Sequence, residues 1–415
     1  MGLVLLGLIV WDPLIIILIT PLLFLLFVGV ISFYSQDLNI DVHRMVSQSR
    51  IFVDDTVQVT LRLHNKGETL RFLEIYDSLP SKVSIQKGSN YSVLTIEKNE
   101  EITLTYEIIC PIRGHFQIGP LNLRVHDFLG MFSQKIVLNP ISELTIIPHM
   151  EKIDNIAVRA KANVYPGLMQ ARHAGIGTEF FGVRSYTAGD IFKQINWKSS
   201  ARWNRLMVNE FEQESTTDVI LILDARECQG IGTIKHSPME FSIKAAAAIA
   251  SYFLKRRDRV GLIIYGNADE ALKWVYPESG KKQLYKTIKE LVEVEPRGDF
   301  SFTAVIDTAV THLLPKRSVI ILISSLEGDP SIPKAVEQLR ARKFNVIVLS
   351  PSPLAIEYSL QATDPYYKLA YRILAMKRKN FLDLLRKCGA QIVDWNPTLP
   401  LAVSLKEVER SRGRF

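Results

Sequence analysis

Residues 218–228 read DVILILDAREC, and this stretch decides the class of the larger part of the chain. Val219 to Leu223 is solidly apolar and ends at Asp224. A strand with no polar face is covered on both sides, as in a parallel sheet between two layers of helices. Similar runs recur at Val260–Tyr265, Ser318–Ile323, Asn345–Leu349 and Gln391–Trp395. Helix-like segments separate them: Met239–Arg257, with its alanines at 245–248, Lys281–Val294, Phe302–Leu314, Ile332–Arg342 and Asp364–Cys388. Apolar strands alternating with helices imply a doubly wound, mostly parallel α/β sheet over residues 218–398. In such sheets ligands bind beyond the carboxyl ends of the strands. Asp224 and the pair Ser324-Ser325 are expected at two such ends.

A strand-end aspartate invites comparison with von Willebrand factor A domains, whose first strand ends in D-x-S-x-S and whose Mg²⁺ site is completed by a distant Thr and Asp. Here Arg226 and Cys228 stand at the two serine positions, Thr303 is placed for the threonine, and Ser325 falls where the aspartate is expected. Two hydroxyls and a carboxylate are missing from a set of hard oxygen ligands, and a guanidinium repels a cation. No metal or other cofactor is therefore expected. Arg226 either supplies the positive charge itself, pairing with Asp224 or Glu227, or points to solvent.

Upstream, residues 175–214 read GIGTEFFGVRSYTAGDIFKQINWKSSARWNRLMVNEFEQE. Neither a helical nor a strand period runs through them, and ordering so irregular a segment is costly unless it is buried or binds something. Glu179, Asp190 and Glu210 alongside Arg184, Lys198 and Arg202 suggest an ion-pair lattice that holds the segment in shape. The carboxylates equally admit an acid/base role for Asp190 or Glu179. Interleaved aromatics and cations could stack nucleobases, but the matching supply of carboxylates argues against nucleic acid. The segment is expected to dock on the α/β domain through Trp197 and Phe180, with Arg184, Asp190 and Arg202 as a polar lattice. Other chemistry is excluded by pattern. The Gly175-x-Gly177 pair has Phe180 where a dinucleotide fingerprint needs its third glycine, and there is no phosphate-binding G-x-x-x-x-G-K-[ST]. Neither H-E-x-x-H nor G-x-S-x-G occurs.

Residues 38–148 read as an antiparallel β-sandwich domain. Val57–Leu63 and Ile102–Ile108 alternate, and turn formers recur at Asn65-Lys66-Gly67, Lys87-Gly88-Ser89-Asn90 and Arg113-Gly114. Arg113–Pro120 and Asp127–Phe132 are turn-rich blocks around a strand. Residues 1–35 read as a membrane anchor. Leu14–Phe33 carries no charge and, as a helix, spans about 30 Å, one bilayer core. A short apolar piece precedes it. Arg44 and Arg50 follow the span and no Lys or Arg precedes it, so the bulk of the chain is expected in the cytoplasm. Residues 149–217 link the β domain to the α/β domain and contain the irregular segment, and 399–415 form a basic tail. Across 415 residues the net charge of +7 is modest, compatible with anionic lipid nearby. Three widely separated cysteines exclude a disulfide framework.

The ordered run Gly177-Thr178-Glu179-Phe180, Arg184, Tyr186, Gly189-Asp190, Trp197-Lys198 and Ala201-Arg202, ending in Leu206-Met207-Val208, resembles the signature of the DUF58 family. In that family the block reads roughly GTEF, R-x-Y, GD, I-x-W-K, ARx and L-x-V and directly precedes a von Willebrand factor A-like domain. The β region and the apolar start also resemble the family, although its members often carry two spans and this chain shows one clear one. The resemblance implies a non-enzymatic, membrane-anchored adaptor that works with a MoxR-type AAA+ ATPase in assembly or maturation of other proteins, and makes those block residues partner-binding candidates. The alternatives are a hydrolase or transferase acting on envelope material through a carboxylate of the block, and a plain structural membrane protein.

Overall fold

The computed structural model describes residues 20–21, 23–30, 38–126, 132–153, 174–212, 217–233, 235–267, 272–312, 318–327, 329–361 and 365–405. Two compact units divide the chain, Met1–His149 and Met150–Phe415. Residues 23–30 are helical. Among the described residues no helix is long and apolar enough to cross a membrane. Half of the stretch expected to span, 14–33, lies outside them.

Among the described residues the first unit holds eleven strands. One sheet runs β1 (Ile40–Val46), β3 (Thr56–Asn65), β7 (Glu101–Ile109), β5 (Ser84–Lys87). A second runs β10 (Ser133–Leu138), β9 (Leu121–His126), β4 (Leu70–Asp77), β6 (Tyr91–Ile96). A third joins β2 (Arg50–Phe52), β11 (Ser142–Ile147) and β8 (Gly114–Ile118). All pairings are antiparallel except that of β11 with β2. The alternation read in β3 is real: Val57, Val59, Leu61 and Leu63 are buried. They share one core with Leu73, Ile75, Leu123 and Val125 of the second sheet and Leu144 and Ile146 of the third, which makes the unit sandwich-like. A buried polar knot crosses it. Arg44 pairs with Asp77, and the Tyr106 hydroxyl donates to Asp77 Oδ2 at 2.6 Å. Burial and that bond to a carboxylate push the Tyr106 phenol far above its ordinary pKa. Of the turn-rich blocks, residues 127–131 lie outside the described residues.

The second unit opens with a hairpin, β12 (Ala174–Ser185) against β13 (Met207–Glu212), whose connection holds helix α1 (Trp197–Trp203). The segment read as irregular holds a strand pair without a clean period. The hairpin register shifts between Gly175 and Phe180 and again between Phe180 and Gly182, and such bulges break the two-residue alternation that marks a strand in sequence.

Then follows a six-stranded sheet of β14 (Asp218–Asp224), β15 (Arg259–Tyr265), β16 (Leu272–Glu278), β17 (Val319–Ile323), β18 (Asn345–Pro351) and β19 (Gln391–Trp395). Its order is β16-β15-β14-β17-β18-β19. Every pair is parallel except β15 with β16. Helices α2 (Pro238–Lys255) and α3 (Lys281–Glu293) pack with Val219, Leu221 and Leu223 on one face of β14. Helices α4 (Phe302–His312), α5 (Ile332–Ala341) and α7 (Pro365–Lys387) pack with Ile220 and Ile222 on the other. A further helix, α6 (Pro353–Gln361), follows β18. Helix α2 lies close to the sheet because Ala245 to Ala248 are all buried. Its start is fixed by Ser237, whose hydroxyl accepts from the Glu240 amide, with Pro238 in the first turn.

Strand β16 and helix α6 were not foreseen. The edge strand is half exposed, with Lys273 and Pro277 among its residues, so it lacks the unbroken apolar run of its neighbours. The boundary drawn at residue 398 also moves. Leu401 and Leu405 are buried in the core of this unit, and the Leu401 amide donates to Glu151 Oε2 at 2.8 Å.

Candidate functional site

Strand order reverses between β14 and β17, and doubly wound sheets bind ligands beyond the carboxyl ends at such a switch point. Asp224 ends β14 there, fully buried, and Ser324 follows β17. The two meet: Ser324 Oγ donates to Asp224 Oδ2 at 2.7 Å. Gln229 Nε2 donates to the same oxygen at 2.9 Å. Arg226 completes the set. Its Nε donates to Asp224 Oδ1 at 3.0 Å and its Nη2 to Oδ2 at 2.7 Å, while its backbone amide donates to Oδ1 at 3.1 Å. Each carboxylate oxygen thus accepts at least two hydrogen bonds, close to its capacity.

Arg226 is only 3% exposed. Its guanidinium stands 5.8 Å from the centre of the Tyr265 ring and 3.8 Å from Asp329 Oδ2, and it donates to the Glu327 carbonyl at 3.2 Å. Burial opposes its charge, but the hydrogen bonds and negative charge of Asp224 more than offset this and hold its pKa above the ordinary value. Burial, followed by the Asp224 charge, raises the phenol of Tyr265 and the thiol of Cys228. The backbone around Arg226 is equally tight. Gly266 has φ +73, and a Cβ there would stand 2.6 Å from Arg226 Cγ, so this close approach requires glycine.

Of the two readings left open for Arg226, the geometry has it paired with Asp224. The remaining metal-type positions are employed differently. The Thr303 hydroxyl donates to the Ser331 carbonyl at 3.4 Å. The Ser325 amide donates to Gln229 Oε1 at 3.1 Å. Cys228 approaches the Glu327 carbonyl through its sulfur at 3.5 Å, and all three cysteines are free thiols. Among the described residues no group of three or more His, Cys, Asp or Glu is arranged to hold a metal.

Three participants were not singled out in the sequence. Asp329, 5% exposed, accepts from the Phe302 amide at 2.8 Å and from the Ser331 amide at 2.8 Å. The run Asp329-Pro330-Ser331-Ile332-Pro333 carries a readable helix-start signal for it. Gln229 sits on a short 3-10 turn, Glu227–Gly230. Arg378, from α7, donates to the Ser325 carbonyl at 2.8 Å, to Ser350 Oγ at 2.7 Å and to Asp394 Oδ1 at 2.8 Å. It ties together the ends of β17, β18 and β19. Within Lys377-Arg378-Lys379 nothing in the sequence marks Arg378 out from its neighbours.

The hairpin carries the other sequence-singled residues. Gly177, Thr178, Glu179 and Phe180 lie in β12, with side chains outside the described residues. Arg184 grips Asp190 with both terminal nitrogens, at 2.7 and 2.6 Å. Asp190 also accepts from the Thr187 amide and hydroxyl, at 2.8 and 3.0 Å. The Arg184 bonds, then the Thr187 amide, hold the Asp190 carboxyl well below the usual range. Gly189, at φ +108, makes the turn into it. Tyr186 stacks at a tilt on Phe192, ring centres 6.1 Å apart.

Asn196 caps α1 by accepting from the Ser199 amide at 2.9 Å, and its Nδ2 donates to Asn209 Oδ1 at 2.7 Å. Ser200 turns inward, accepting from the Met207 amide at 2.9 Å. These bonds fix the rotation of α1, and the outcome corrects the docking expectation. Trp197 is 67% exposed and is not an apolar anchor. The buried apolar residues here are Ile195, Met207 and Val208. Lys198, Ala201 and Arg202 are exposed, so the polar lattice is the Arg184–Asp190 pair, without Arg202.

The chain is 24% identical over 208 residues to an uncharacterized protein, YeaD, of Bacillus subtilis (strain 168), an alignment covering 48% of this chain and 51% of YeaD. It therefore spans about half the length of the curated relative it matches. Among solved structures, a FixG-related protein from Vibrio parahaemolyticus aligns at 12% identity and TM-score 0.19, over 26% of this chain and 95% of that one. The CARDB domain of the PF1109 protein from Pyrococcus furiosus aligns at 12% identity and TM-score 0.20, over 28% and 96%. Residues 182–352, from the second half of β12 to the end of β18, match the family described as protein of unknown function DUF58.

Proposed function

We propose that the chain is a membrane-anchored, non-enzymatic interaction protein. Its second unit, of von Willebrand factor A-like type, presents the carboxyl edge of the sheet to a protein partner, a MoxR-type AAA+ ATPase that assembles or matures other proteins. The observation that carries this reading is the saturation of Asp224. At the switch point where a doubly wound sheet places its ligand, Arg226, Gln229 and Ser324 already occupy the Asp224 carboxylate. A catalytic base or a metal ligand needs a free lone pair, whereas a rigid, internally neutralised surface suits shape-based recognition. The sheet order and its antiparallel edge strand support the fold assignment. The ATPase itself rests on the resemblance of the Gly177–Val208 signature. An envelope-acting enzyme finds less support, since Asp190 is clamped by Arg184 and held ionised.

The test is photo-crosslinking in native membranes from position 327, an exposed residue beside the Arg226 lattice. A photoreactive amino acid there is expected to capture an AAA+ ATPase. Capture of other proteins without any ATPase, at full expression of the chain, overturns the partner assignment. Turnover of envelope glycan or peptide by the purified chain, lost in Asp190→Asn, overturns the non-enzymatic one.

A further inference from the structure

Residues 191–206 read IFKQINWKSSARWNRL, with four cations and no carboxylate. Lys193, Lys198, Arg202 and Arg205 are all exposed, and among the described residues none is in an ion pair. The nearest described carboxylate in sequence, Asp190, is already neutralised by Arg184. The same connection exposes five large apolar side chains: Ile191 at 54%, Phe192 at 71%, Trp197 at 67%, Trp203 at 62% and Leu206 at 42%.

The inward bond of Ser200 sets how α1 faces solvent. At about 100° per residue, Lys198 and Arg202 fall on the side opposite Ser200, while Trp197 and Trp203 lie about 60° to either side of Ser200 and still reach solvent. Lys198 and Arg202 are also like charges at i and i+4, an arrangement that weakens a helix and is relieved by a negative surface. Arg205 lies 6.0 Å from the centre of the Trp203 ring, so a cation and an aromatic are presented together.

We infer that this connection lies on the headgroup layer of an anionic bilayer, with Phe192, Trp197 and Trp203 entering the interface and Lys193, Lys198, Arg202 and Arg205 meeting lipid phosphates. Tryptophan with flanking Lys and Arg is the chemistry of membrane–water interfaces. Each cation near such a surface strengthens binding by a factor of about five. A protein partner fits less well, because the cores of protein interfaces are depleted in lysine and here lysines sit between the apolar residues. The inference goes beyond the ATPase reading and stands without it.

The test uses the full-length chain in liposomes of brominated phosphatidylcholine, with or without about 30 mol% phosphatidylglycerol. The readout is the tryptophan emission lost in a Trp197→Phe/Trp203→Phe double variant, which isolates those two rings whether or not another segment inserts. Both are exposed, so the variant keeps the fold. In anionic liposomes the bromine is expected to quench more than about half of that emission. In neutral liposomes, or in about 0.5 M NaCl, the quenching falls severalfold. It falls likewise in a Lys198→Glu/Arg202→Glu variant. Equal quenching in neutral and anionic liposomes, or undiminished quenching in the charge-reversed variant, overturns the proposal. So does no quenching at all. A blue shift with polyglutamate or oligothymidylate in that last case reassigns the surface to an acidic protein or to single-stranded nucleic acid.

Discussion

Replacing Arg226 with methionine preserves most of the buried volume and removes the charge. Two bonds to Asp224 disappear, those from Nε at 3.0 Å and Nη2 at 2.7 Å. Three donors remain: the residue 226 amide, Gln229 Nε2 and Ser324 Oγ. Asp224 is fully buried, so its carboxylate is left without a counter-charge. Breaking a buried pair in this way costs about 3–5 kcal/mol, and the surviving donors place this case at the lower end, about 3 kcal/mol. For a unit of this size each kcal/mol moves the melting point by about 2–4 °C, giving a drop of about 6–12 °C. An Asp224→Asn/Arg226→Met double variant removes the stranded charge as well, and should lose only about 1 kcal/mol. Calorimetry on the full chain at neutral pH, following the transition of the second unit, reads both. A single variant within about 2 °C of wild type would refute the reasoning, and so would a double variant no more stable than the single. Either result would mean that the pair is solvated, and that Asp224 is free for other uses.

Two more outcomes follow from the same geometry. Arg226→Ser takes the guanidinium from between Asp224 and Asp329 and adds a hydroxyl, leaving hard oxygens around a vacated charge. Mg²⁺ at ten times its dissociation constant should then stabilise the variant by about 1.4 kcal/mol and leave the wild type unchanged; a thermal shift absent from both would show that the carboxylates are too far apart. Asp190 is held below its unfolded pKa by Arg184 and the Thr187 amide. Its stabilising effect is therefore complete above the ordinary aspartate pKa and is lost as pH falls through the folded value. Hydrogen exchange at the Thr187 amide, which donates to Asp190, should stay slow relative to the unfolded chain down to mildly acidic pH and lose protection only in strong acid. In Arg184→Met the loss should begin at a higher pH.

How far the sequence discloses this molecule depends on how each element is buried. Strands β14, β15, β17, β18 and β19 are covered on both faces, and their composition says so without any tertiary information. Strand β16 is covered on one face and one edge, and its lysine and proline conceal it. The hairpin of β12 and β13 is hidden for a different reason: its bulges interrupt the period on which recognition depends. The strand-end aspartate and its odd neighbour Arg226 were legible because both sit on a single turn of chain. Asp329 and Arg378 reach the same edge from positions more than a hundred residues further on, and only folding reveals that they meet there. The exposure of Trp197 was misjudged because composition favours burying tryptophan, whereas one small serine, Ser200, decides which way its helix turns.

The contact between Glu151 and the Leu401 amide has a mechanical consequence. Met150 and Ile153 rest on the same core as Leu401 and Leu405, so stretches 250 residues apart in sequence meet there. Tension applied at residues 151 and 401 is therefore borne first by that junction rather than by the strands of the sheet. Because residues 151 and 401 are adjacent, that junction is the place to join the chain in a circularly permuted form opened at a loop elsewhere.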